Sequence, residues 1–60
     1  MDKETAAEIL KQTEIIQEAL RQIVKLADGK DHTITLLACQ EFMPVMTIAD
    51  HAERVQNGHA

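Results

Sequence analysis

The tetrapeptide Asp28-Gly29-Lys30-Asp31 constrains this chain more than any other feature, because it divides 60 residues into two segments of nearly equal length that both carry helical periodicity. Glycine tolerates the left-handed conformation common just past a helix end, and Asp31 is suited to cap whatever helix follows. A connection of four or five residues suits a helix-to-helix hairpin. Asn57-Gly58 supplies a second stop signal, so the sequence predicts helices over about 5–27 and 32–56, with 57–60 as a frayed tail. Each helix would span roughly 33–36 Å at ~1.5 Å per residue. Matched lengths favour antiparallel packing.

In Thr5-Ala6-Ala7-Glu8 a threonine precedes a glutamate by three residues, the capping-box pattern that satisfies backbone N–H groups of a first helical turn. Downstream, Ala6, Ile9, Thr13, Ile16, Leu20, Ile23 and Ala27 recur at spacings of three and four and form one stripe. Leu10, Ala19, Val24 and Leu26 widen it, and Lys11, Glu14, Glu18, Arg21 and Lys25 occupy the opposite face. Acids gather at the start and bases towards the end, which suits the helix dipole. Thr13, the hydroxyl inside the stripe, is expected to bond back to the Ile9 carbonyl. Ile15 stands alone among polar neighbours as a singly exposed hydrophobe.

The second segment is more apolar and less regular. Ile34, Leu37, Ala38, Phe42, Val45, Ile48, Ala49, Ala52 and Val55 form one broad face, the expected counterpart of the isoleucine stripe. Leu36, Cys39, Met43 and Met46 continue the apolar surface around another side, leaving Gln40, Thr47, His51 and Arg54 as the polar strip. A helix apolar over so much of its circumference is normally covered by several neighbours. The fold expected is therefore all-α, an antiparallel helical hairpin that dimerises into a four-helix bundle. Its dimer core would draw on Ile9, Ile16, Leu20, Ile23, Ile34, Val45 and Ile48.

Sixty residues form one domain at most, and a domain of this size buries only about 60% of the surface its unfolded chain exposes. Cys39 is the single cysteine, so a disulfide cannot add support, and no zinc-binding set of cysteines and histidines is present. Oligomerisation is the remaining source. Pro44 sits inside the second helical pattern, where it removes the bond to the Gln40 carbonyl at a cost of about 3 kcal/mol. Two readings stand: a continuous helix kinked at Pro44, or a break with a new helix capped by Thr47, whose partner Asp50 repeats the capping-box spacing. Glu41 falls among Leu37, Ile34, Val45 and Ile48, where it either sits at the edge of the stripe or pairs with a base such as Arg21 or Lys25, or else serves as a specificity contact to a partner or a polar device that fixes one oligomeric register.

Ten acids against six bases give a net charge of −4, with the bases scattered among acids rather than clustered for a phosphate backbone. Nucleic acid is not an expected partner. No 18-residue apolar stretch crosses a membrane, the N-terminal residues do not resemble a signal peptide, and a reducing cytoplasm is the expected setting. His32, His51 and His59 lack the i, i+4 spacing of helical metal ligands, so no metal and no cofactor are expected. Cys39 is expected as a small buried hydrophobe.

The hairpin-dimer plan resembles the Rop family in architecture, without that family's basic RNA-binding face. Cys39-Gln40-Glu41-Phe42-Met43 resembles the Ser-Gln-Glu-Leu-Asp motif of small helical-hairpin aspartyl-phosphate phosphatases at Gln40 and Glu41. The serine and aspartate of that motif have no counterpart, so the resemblance implies no activity. The function expected is that of a non-enzymatic interaction module, which binds and regulates another protein through Leu36, Cys39, Glu41, Phe42, Met43 and Met46. Methionines adapt to irregular surfaces, which makes this stretch the best candidate for a binding face. The alternative is a purely structural homo-oligomerisation unit.

Overall fold

The computed structural model describes residues 1–58 as two long helices, α1 (Lys3–Ala27) and α2 (His32–Gln56), packed against each other as an antiparallel hairpin. The rod measures 43 × 14 × 12 Å. Helix α1 begins two residues before the predicted start, because its cap is Asp2 and not Thr5. The Asp2 carboxylate accepts the Thr5 N–H at 2.6 Å. Helix α2 follows the expectation at both ends, with Asp31 accepting the Ile34 N–H at 3.0 Å. Gly29 takes φ of 74°, a conformation that strains any residue with a Cβ, and the Lys30 and Asp31 N–H groups both bond to the Ala27 carbonyl. Gly58 turns the same way after α2, at φ of 79°. The tail expected over 57–60 falls partly on residues 59 and 60, which lie outside the described residues.

Helix α2 runs through Pro44 without interruption, which overturns the broken-helix reading. Thr47 caps nothing; its hydroxyl donates to the Met43 carbonyl at 2.9 Å, within the same helix. Two exposed positions host the proline and the Gln40 carbonyl it leaves without a helical donor, so water is available to that oxygen.

The seam between the helices is narrower than the periodicity suggested, and it is rotated. On α1 it runs through Ala6, Leu10, Thr13, Gln17, Leu20, Val24 and Ala27, and on α2 through Thr35, Ala38, Phe42, Val45, Ala49, Ala52 and Gln56, with Ala7, Ile9 and Val55 half-buried beside it. Both rows alternate steps of three and four, the pattern of side chains interlocking along a helix pair. Its most buried members are small: Ala6, Ala27, Ala38, Ala52 and Thr13. Small residues allow close approach of the helix axes, and a seam of this kind moves bulkier neighbours to its flanks. Ile16 and Ile23, one position before Gln17 and Val24, are exposed in this way, while Ile9 stays half-buried beside Leu10. Thr13 satisfies its buried hydroxyl by donating to the Leu10 carbonyl at 2.7 Å, one residue later than the predicted acceptor.

Candidate interaction surface

Among the described residues no large side chain is fully buried, so the hairpin by itself covers little of its apolar content. What remains forms two separate surfaces. The first lies along one flank of the seam. At the end near the chain termini, Ile9 of α1 forms a shallow groove with Ile48, His51 and Ala52 of α2. Towards the loop, Leu20 and Ile23 form a second with Ile34, Leu37, Ala38 and Glu41, and a third continues over Leu26, Ala27 and Ile34 to Lys30 and Asp31. Ile16 lies midway between Ile9 and Ile23 on the same seven-residue row, and Pro44 midway between Leu37 and His51. One apolar face therefore extends over the length of the rod, with Ile16, Ile23, Ile34 and Ile48 each 42–50% exposed.

The second surface belongs to α2 alone. Leu36, Cys39, Met43 and Met46 follow a three-four-three spacing on roughly the opposite side of that helix, and Met43 is 70% exposed. Cys39, expected to be buried, is exposed. Burial of a free cysteine requires a neighbour over its row, and α1 packs on the adjacent one. Asp50 continues this row and holds Arg54 in an exposed ion pair at 2.9 Å.

The six residues predicted as a partner site thus fall in three places. Leu36, Cys39, Met43 and Met46 stay together on the outer row, Phe42 is half-buried in the seam, and Glu41 joins the isoleucine face. The residues predicted for the dimer core divide as well. Leu20 and Val45 are half-buried in the seam, whereas Ile16, Ile23, Ile34 and Ile48 are exposed and Ile9 borders the groove. Leu37, Pro44 and His51 belong to the same face and were not singled out as site residues, although steps of three and four from Ile34 lead to each of them.

Glu41 is exposed and has no ion pair among the described residues; Arg21, one of its expected partners, binds Glu18 at 2.9 Å instead. Hydrogen bonds from Gln22 and then Arg21 hold the Glu18 carboxyl below its ordinary range. No group of three or more potential metal ligands converges among the described residues, and His59 lies outside them. No helix among those residues is long and apolar enough to cross a membrane. No protein-family model matches the chain, and no curated protein or solved structure matches it.

Proposed function

We propose that this chain is a small cytoplasmic interaction module, which acts stoichiometrically rather than catalytically by docking helix on helix with another protein and thereby inhibiting or stabilising it. The observation that carries this reading is the outer row of α2. Four apolar or sulfur-containing side chains, Leu36, Cys39, Met43 and Met46, face solvent over more than two helical turns with no covering element in the hairpin. Contiguous apolar surface on a small soluble chain marks a contact surface. Methionines suit such a surface because the flexible thioether adapts to the shape set against it. The chemistry fits an amphipathic helix of the other protein, laid along α2 with apolar anchors at steps of three and four.

The experiment is capture by immobilised chain, wild type against Met43→Asp, with helicity followed by circular dichroism. Loss of capture with helicity retained is expected, since the substitution places a charge on an exposed site that supports neither the seam nor a cap. Capture undiminished by Met43→Asp contradicts the reading.

A second reading, that of a purely structural oligomerisation unit, is favoured by the isoleucine face, which gives the chain a separate surface for self-association. The two differ in what the purified protein leaves uncovered. An interaction module keeps the methionine row free and binds a hydrophobic dye; a structural unit has used all its apolar surface and does not.

A further inference from the structure

We propose that the isoleucine face is covered by a second copy of this chain, packed face to face and antiparallel about a two-fold axis that passes at Ile16 and between Glu41 and Pro44. This goes beyond the capture of another protein and concerns a different surface, so either can fail without the other.

The area comes first. A compact folded monomer of 6.7 kDa exposes about 3,900 Å², whereas this chain exposes 4595 Å². The excess of about 700 Å² approaches the ~800 Å² that each partner contributes to a stable interface of standard size. The apolar face supplies surface of the right kind. Its large side chains are aliphatic apart from His51, and its acids are Glu41 at the centre and Asp31 beside Lys30 at the loop end, so two copies meet there without opposing rows of like charge despite the net charge of −4.

The spacing is compatible with a second copy. A two-fold interface requires the surface to be complementary to itself when reversed, so the apolar positions on both helices must be symmetric about one common height. On α1, Ile9 and Ile23 are symmetric about Ile16. The grooves set the heights of α2 relative to α1: Ile9 is level with Ile48 and His51, and Ile23 with Ile34 and Leu37. Ile16 is therefore level with the interval between Glu41 and Pro44. The same interval is the midpoint between Leu37 and Ile48, and between Ile34 and His51. Rotation about an axis at this height sets Ile9 on Ile23, Leu37 on Ile48 and Ile34 on His51 of the second copy, so the face can match itself when reversed.

Orientation follows from Glu41. With both loops at the same end, Ile16 of each copy would lie over Glu41 and Pro44 of the other, covering a carboxylate with an aliphatic side chain twice. The antiparallel arrangement sets isoleucine on isoleucine, Ile16 on Ile16 and Ile9 on Ile23 of the second copy, and places Glu41 beside Pro44. Its unfavourable features are that Ile34 meets His51 of the second copy and that the two Glu41 side chains flank the axis, about 4–5 Å apart along the rod at ~1.5 Å per residue.

Three variants test this on the purified chain. In a Cys39→Ser background, Ile16→Cys is expected to oxidise rapidly to a disulfide-linked dimer, because the axis brings the two sulfurs together, whereas Met43→Cys in the same background is expected to link at least tenfold more slowly. Glu41→Gln is expected to tighten dimerisation by about tenfold in sedimentation equilibrium, since it removes a like-charge pair. Ile16→Asp is expected to give a monomer. If Ile16→Asp also loses its helicity, the cross-linking rates and the Glu41→Gln affinity still decide. Equal slow linking at positions 16 and 43, or a Glu41→Gln dimer no tighter than wild type, overturns the proposal, and a monomeric wild type leaves the face to a different protein.

Discussion

At the residue scale, the structure rests on a few groups whose bonds are local and checkable. Asp2 carries the start of α1. Hydrogen bonds from Thr5, by its side chain and then its backbone N–H, hold the carboxyl below its ordinary value of 3.8. A depressed value in the folded state means that the cap is fully stabilising above pH 3.8 and is lost as pH falls through the lowered value. Helicity of the first turns, followed by amide exchange on Ala6 and Ala7, is expected to fall in that acid window in wild type and to be already low in Asp2→Ala at neutral pH. Thr13 tests the seam. It is 2% exposed, and its methyl and hydroxyl fill a place where the helices are close. Thr13→Leu is expected to destabilise the fold by about 1–3 kcal/mol through overpacking, read as a lower denaturant midpoint. Little of this was legible in the sequence. Asp2 and Thr5 both precede suitable first turns, and the choice between them depends on where the backbone begins to turn. The acceptor of the Thr13 hydroxyl differs from the expected one by a single residue for the same kind of reason.

At the element scale, both helices, the loop and three of four boundaries follow from the periodicity and from Asp31, Gly29 and Gly58, because these signals are local. Two features were not legible. The first is the rotation of α1. Its rows 9-16-23 and 10-17-24 are equally periodic, and the sequence of one helix does not say which row meets the other; the small residues of α2 settle it by admitting a close seam. The second is the continuity of α2 through Pro44, where Thr47 and Asp50 imitate a new start. Since the helix does continue, Pro44→Ala restores a donor to the Gln40 carbonyl and removes a ring clash. The expected gain is about 2 kcal/mol, the helix-interior cost of proline less the entropy that proline removes from the unfolded chain. A thermal melt raised by roughly 10 °C is the expected readout for a chain of this size. A lower melting temperature would mean that the proline shapes the helix for its contacts.

At the scale of the whole molecule, the hairpin leaves two separate apolar surfaces. The sequence showed that α2 had more apolar surface than one helix covers, and the hairpin shows where the surplus goes: a row of isoleucines on one flank of the seam and the methionine row on the other flank of α2. Predicted site residues such as Phe42 and Glu41 were separated from Met43 by a rotation of about 100° per residue, a distinction that membership of one short apolar stretch conceals. The central claim is that a rod with a seam of alanines is half of a bundle. Light scattering on a sizing column, over a hundredfold range of concentration, tests it most directly. The account predicts a constant mass of twice the 6.7 kDa chain, and a single-chain mass across the whole range would contradict it.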